Sequence, residues 1–295
     1  MNHPISYFQL GATLYTPCTH PRLSRVMQYG ILGARSIVFC TEDAINDSEL
    51  CSALENLKEA LKSLSRDGTV LRFIRPRNLE VLAEILAMDG IDKIDGFVIP
   101  KADSRSLPGF KRLLSASDVS FSVMPTLESV EVLDPAALPH IRKQLAGFDN
   151  VLCLRIGGND LMNLMGLKRL PGMTAYETPL RTVIDQLVIA FRPYGFELSA
   201  PVFDFIDDRS TLISEIKRDI SYGLLNKTAI HPSQINIIQN EYVNYTEGHV
   251  EKARELLKDN VKAVFRLDGQ MLERTCHSNW AKRTLLLANN FYEIA

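Results

Sequence analysis

The chain has 295 residues, 46% of them hydrophobic and 23% charged, which is ordinary for a globular protein and excludes a disordered or fibrous chain. Its 33 basic and 35 acidic side chains leave a formal charge of −2, so no basic field favours nucleic acid or an anionic membrane surface as a partner. The length suits one α/β barrel with a short extension.

At the N-terminus, Met1–Leu10 lacks a basic stretch followed by an apolar run. No later stretch is long and apolar enough to span a bilayer, and a cytoplasmic protein is expected. Cys18, Cys40, Cys51, Cys153 and Cys276 are odd in number and form no CxxC pair, so they read as reduced thiols. Along the chain, short runs rich in β-formers recur at Gln9–Thr16, Arg35–Cys40, Val70–Ile74, Gly96–Ile99, Ser120–Pro125, Val151–Ile156, Leu198–Phe203 and Lys227–Ile230. Several are apolar throughout rather than alternating, as strands of a parallel sheet covered on both faces are.

Helical patterns separate these runs. The clearest places Leu50, Leu54, Leu57, Leu61 and Leu64 on one face, with Asp47 or Ser48 as its expected N-cap. Others span Pro21–Gly33, Leu79–Met88, Ser106–Ser115, Ala136–Phe148, Pro179–Arg192, Asp208–Tyr222 and Ser233–Val243. Eight alternations of strand and helix predict an α/β fold, a (β/α)8 TIM barrel over residues 1–245, with an open doubly wound sheet as the alternative. Residues 246–295 read as a C-terminal helical extension or lid, with helices at Val250–Lys258 and Ser278–Tyr292. Between them, Phe265–Glu273 reads as neither strand nor capped helix, but as a tail that folds over something.

The apolar runs end in polar residues. Glu42-Asp43 follows the second, Arg75 the third, Lys101 the fourth, Glu128 the fifth, Asp160 the sixth, Asp204 the seventh and His231 the eighth. In a parallel barrel these ends share the face on which active sites are built. Glu128 and Asp160 supply the oxygen donors that Mg²⁺ prefers, without the His or Cys that zinc would want. Arg75 offers a planar fork to a carboxylate, either a substrate's or that of Glu42 or Asp43. The Gly157-Gly158 pair allows a ligand close to the backbone and brings Asp160 toward it. His231 reads as a general base or as a group that orients its loop, and Lys227 is equally open. Lys101 is the candidate Schiff-base amine, but beside metal-type carboxylates enolate stabilisation by a cation is the expected chemistry. No GxGxxG, GxxxxGK[ST] or GxSxG occurs in the required context, which disfavours NAD and P-loop nucleotide chemistry and weighs against an α/β-hydrolase.

Several segments, in order, carry a family resemblance: Leu14-Tyr15-Thr16-Pro17, Thr41-Glu42-Asp43-Ala44-Ile45, Ile74-Arg75, Ile99-Pro100-Lys101, Pro125-Thr126-Leu127-Glu128, Gly157-Gly158-Asn159-Asp160, Ala229-Ile230-His231-Pro232-Ser233-Gln234 and Gly269-Gln270-Met271-Leu272-Glu273. Over nearly its whole length the chain resembles the citrate lyase β-subunit-like branch of the HpcH/HpaI aldolase superfamily. The resemblance implies Mg²⁺ on Glu128 and Asp160, and Arg75 on substrate carboxylate or thioester oxygens, with Lys101, Gly158 and His231 as further substrate contacts. It implies retro-aldol-like cleavage, or the reverse condensation, of a 3-hydroxyacyl thioester such as a CoA ester, or of a related hydroxy or keto acid. Glu42 or Glu273 would move the proton. It also implies a homotrimer or hexamer in which one subunit's C-terminal segment covers a neighbour's site.

The chain departs from the family pattern at Cys40, where relatives carry Asp, at Glu273, where they carry a shorter Asp, and at Arg77, an additional arginine. These changes point to a divergent branch with its own substrate. They also keep open two other readings: hydrolysis of the thioester at the same site, and a barrel that has lost catalysis and serves as an assembly subunit.

Overall fold

In a computed structural model of the chain, which describes residues 5–65 and 70–292, each of the eight runs overlaps a strand, three of which run one or two residues further. These are β1 (Ala12–Pro17), β2 (Ser36–Cys40), β3 (Leu71–Arg75), β4 (Gly96–Ile99), β5 (Ser122–Leu127), β6 (Leu154–Ile156), β7 (Leu198–Ser199) and β8 (Lys227–Ala229). All neighbours are parallel, in the order β7-β6-β5-β4-β3-β2-β1-β8. A parallel bridge from Ala200 to Lys227 links the two outer strands and closes the ring. The predicted barrel is therefore the observed one, and the open sheet is not.

The intervening helices are α1 (Leu23–Tyr29), α2 (Leu50–Ser63), α3 (Leu79–Leu86), α4 (Leu107–Ser115), α5 (Leu138–Leu145), α6 (Gly158–Leu164), α7 (Leu180–Phe191) and α8 (Arg209–Ser221). Their apolar stripes cover the strands. On α2, Leu54, Leu57 and Leu61 are buried as their spacing predicts. Strand β2, apolar after Ser36, is buried at every position because helices lie outside it and barrel residues inside. The expected cap at Asp47 or Ser48 is displaced: Asn46 opens a 3-10 turn ahead of α2, and its amide donates to Glu49 Oε2 at 3.1 Å.

Two strands differ from the sequence reading for local reasons. Strand β1 starts later because Tyr7–Gln9 forms a 3-10 turn, in which Ser6 N donates to Gln9 Oε1 at 2.8 Å. Strand β7 is short because Pro201 follows Ala200 and has no amide to extend the ladder.

Beyond the barrel, α9 (Pro232–Leu257) joins two expected helices into one of 26 residues, so the expected division at 245 falls inside a continuous helix. Residues Phe265–Glu273 correct the irregular-tail reading. They form most of a hairpin of β9 (Val264–Leu267) and β10 (Gln270–Glu273), paired antiparallel. Its turn is Asp268-Gly269, with φ of 48° and 77°, the left-handed pair that a two-residue type I′ turn requires. The last helix, α10 (Arg274–Tyr292), packs on α9 around Ala253, Leu256, Leu272 and Ala281. It is tied to the barrel through Arg283, which pairs with Glu197 and donates to Gly223 O at 2.8 Å. Among the described residues no helix is long and apolar enough to cross a membrane.

Candidate active site

The C-terminal ends of the strands converge on a cavity of about 500 Å³. Five of the seven polar strand ends cluster there: Glu42-Asp43, Arg75, Lys101, Glu128 and Asp160. Arg75 ends β3, and its Nη1 lies 2.9 Å from Glu42 Oε2 and 3.3 Å from Asp43 Oδ2. Lys101 Nζ reaches the other Glu42 oxygen at 2.7 Å and Asp43 Oδ1 at 3.3 Å. Glu42 is thus held between two cations. Of the two roles weighed for Arg75 the structure holds the ion pair with Glu42, and the residue also lines the cavity.

Cys40 accepts from Arg75 Nε at 3.2 Å and from Glu42 N at 3.3 Å. A thiol there orients the guanidinium without adding a charge. Arg77 is turned away from the site. It donates to Thr41 O and Ile45 O and pairs with Asp47, fastening the loop that carries Glu42.

Glu128 follows β5 and is buried. Its Oε1 accepts from Lys101 N at 2.8 Å, an amide aimed by the left-handed backbone of Lys101 at φ 45°. Gly157 lies against this carboxylate so closely that a Cβ there would come within 2.3 Å of Glu128 Oε2. Only glycine fits. The segment expected as a Gly-Gly-Asn-Asp turn is instead the entry into α6, and it puts Asp160 in that helix's first turn, on the cavity wall. Among the described residues, neither Glu128 nor Asp160 has a cationic partner.

The electrostatics show the consequence. Burial, and then the charge of Asp160, push the Glu128 carboxyl up to about 8. Asp160 is itself raised, first by burial and then by Asp43. Burial also raises Glu42, although Arg75 pulls it down. At Asp43 burial acts upward too, but the hydrogen bond with Glu42 and the two cations outweigh it, so that carboxyl is lowered. Glu128 and Asp160 are two acidic oxygen donors that repel each other in a cavity otherwise open to ligand. That donor set fits a hard divalent cation which keeps positions free for water or substrate. No cluster of three or more His, Cys, Asp or Glu exists among the described residues that would make a closed protein cage.

The remaining predicted residues fall elsewhere. His231 is exposed and caps α9, with Nδ1 accepting from Ser233 N at 3.2 Å. Asp204 lies 3.4 Å from Arg169, behind the cavity wall. Lys227 points out of the barrel into a buried cluster with Glu215 and Asp219. Glu273, on β10, accepts from Cys276 Sγ at 2.9 Å and does not line the cavity of its own chain.

Arg155 went unnoticed in the sequence. It is buried inside the barrel and lines the cavity, and its guanidinium lies 5.3 Å from the Tyr15 ring, which Arg75 flanks at 5.2 Å. The available signal was a lone cation within the apolar run Val151-Leu152-Cys153-Leu154-Arg155-Ile156.

With this geometry in view, residues 4–292 match the family described as C–C bond lyase of the TIM-barrel fold. The chain is similar to a (3S)-malyl-CoA thioesterase of Cereibacter sphaeroides, 25% identical over 285 residues covering 94% of each chain. It is also similar to an L-malyl-CoA/beta-methylmalyl-CoA lyase of that species, 23% identical over 278 residues covering 87% of this chain and 86% of the other. Among solved structures it is similar to CitE of Mycobacterium tuberculosis in complex with magnesium, acetoacetate and coenzyme A. The TM-score is 0.66 at 17% identity, covering 95% of this chain and 97% of that one, and the likeness is one of fold.

Proposed function

The chain belongs to the C–C bond lyases of the TIM-barrel fold, and on that premise we propose that it is a Mg²⁺-dependent lyase acting on a 3-hydroxyacyl thioester or a related hydroxy or keto acid. One observation carries the reading. The unpaired carboxylates Glu128 and Asp160 share a cavity wall with Arg75 and Asp43, which the ion cluster ties to Glu42 and Lys101 behind them. The malyl-CoA enzymes named above, and the magnesium and coenzyme A held by CitE, support a thioester substrate. Bound by Glu128 and Asp160, the cation would polarise the substrate oxygen that becomes a carbonyl.

The chain's own residues supply the rest. Cleavage removes the hydroxyl proton, breaks the bond between the carbinol carbon and the α-carbon, and leaves the electron pair on the acyl fragment as an enolate. Glu42, its proton affinity raised by burial, exchanges that proton by way of Asp43, which lines the cavity. Arg75 keeps its charge throughout and stabilises the enolate. Lys101 holds Glu42 in place, Gly158 would present its backbone to the substrate, and His231, next in the chain to the cavity-lining Ile230, would meet a thioester tail leaving the barrel.

Hydrolysis is the second reading, favoured by the name of the 25% identical relative. Product analysis separates the two. With a 3-hydroxyacyl-CoA and Mg²⁺, the expected products are a carbonyl acid and a shortened acyl-CoA. Free hydroxy acid and CoA alone would overturn the lyase reading.

Glu273 enters the same proposal from another subunit, in a trimer or hexamer. Supporting this, it lies off its own cavity, on a hairpin that exposes Val264 and Met271. Co-expressing Glu273→Ala with Glu128→Ala, each inactive alone, is expected to restore roughly a quarter of wild-type turnover through mixed sites. Zero recovery in assemblies shown by mass to be mixed would overturn the arrangement.

A further inference from the structure

The floor of the cavity carries a feature that the lyase reading does not use. Arg155 is 2% exposed, yet among the described residues it has no carboxylate partner. Its guanidinium is held by neutral groups: Thr228 Oγ1 at 2.5 Å, Asn226 Oδ1 at 3.4 Å and Met124 Sδ at 3.7 Å. The contrast with Arg75, which is paired with two acids, is sharp.

A second observation stands beside the first. Thr126 is in register with Arg155 across the β5–β6 pair. It is 5% exposed, lines the same cavity, and its Oγ1 has no hydrogen-bond partner. A buried hydroxyl and a buried cation without a counter-charge are each costly unless something pairs with them. Here they are adjacent and face one space.

Their depth follows from the strand repeat. Thr126 precedes Glu128 by two residues and Arg155 precedes Gly157 by two, so the pair sits one pleat, about 6.6 Å, below the level of the carboxylates. Resting on the reading of this cavity as a cation-dependent lyase site, we propose that Arg155 and Thr126 form a carboxylate subsite on the barrel floor. The acid fragment of the substrate is therefore a dicarboxylate: a 2-oxo or hydroxy acid end lies at Glu128 and Asp160, and a second carboxylate lies against Arg155. The planar guanidinium fork suits that group and discriminates against an apolar end.

Calorimetry on the full chain with Mg²⁺ tests this, using matched 2-oxo acids of four, five and six carbons that end either in carboxylate or in methyl. For at least one length the diacid is expected to bind roughly tenfold or more tightly than its methyl-ended partner. Arg155→Met is expected to remove that preference while moving the methyl-ended acid by less than about twofold. Thr126→Val should weaken the preference in part.

Equal affinities for both members at all three lengths in the wild-type chain overturn the subsite and leave the lyase reading standing. A preference that survives Arg155→Met also overturns it. If neither class of acid binds in the presence of Mg²⁺, both readings fall. The wild-type comparison decides the question even where a variant fails to fold.

Discussion

Glu128→Ala or Asp160→Ala is expected to lower Mg²⁺-dependent turnover by roughly a thousandfold or more, the equivalent of several kcal/mol of lost charge stabilisation. The fold should survive, because both side chains face the cavity rather than the packed layer between strands and helices. The pH dependence gives a finer check. Glu128 titrates near 8 in the metal-free protein, well above the ordinary value of 4.5. Its contribution to stability is thus fully present below about 4.5 and is lost as pH rises through 8. Metal-free wild type should therefore lose thermal stability between pH 5 and 9, and Glu128→Gln should lose less. Added Mg²⁺ should restore wild type at pH 9 and leave the variant unchanged. Below pH 8 the cation must displace a proton, so its apparent affinity should rise with pH and level off above that point. Turnover that persists in excess chelator, or in either alanine variant, would remove the cation from the proposal.

The barrel itself was legible because its signal is repeated. Eight short runs rich in β-formers, several of them without alternation and each followed by a helical pattern, leave few topologies, and no single run had to be right. The strand ends were legible for the same reason. Charges at Arg75, Lys101, Glu128 and Asp160 lie on one face only if the strands are parallel, and the strands are parallel.

What the sequence hid depended on direction rather than position. Lys227 and Arg155 are both cations on short apolar strands, yet one points outward to α8 and the other inward to the cavity. A strand of three residues carries too little alternation to say which. The hairpin at Val264–Glu273 was hidden because its strands are only four residues each, although Asp268-Gly269 is itself a turn signal. Glu273 remained ambiguous for a related reason: its distance from a cavity depends on where that hairpin is held.

Lys227→Met is expected to destabilise the protein by about 3–5 kcal/mol, the cost of leaving buried carboxylates without their cation. Lys227 Nζ donates at 2.8 Å to each of Glu215 Oε1, Asp219 Oδ2 and Pro201 O, and all three charged side chains are fully buried. The network extends past the pair. Glu215 Oε2 accepts from Arg169 Nη1 and from Ala175 N, both at 2.6 Å, and Tyr176 OH donates to Asp219 Oδ1 at 2.7 Å. Arg169 Nη2 then donates at 3.0 Å to the carbonyl of Val202, a residue of the cavity wall. Loss of the lysine should therefore lower the midpoint of thermal unfolding by on the order of 5–15 °C, and it should also weaken substrate binding through the Val202 loop. The sign with pH follows from the carboxylates. Burial already lifts Asp219 to about 6 against the pull of Lys227. Without that pull Asp219 rises further, and the stability it contributes when protonated is lost as pH climbs through its folded value. The deficit of Lys227→Met should thus be largest above neutral pH and shrink toward pH 5. Adding Asp219→Asn to the variant should recover part of it. A thermal midpoint within about 2 °C of wild type at pH 8 would show that the cluster does not hold this side of the barrel together.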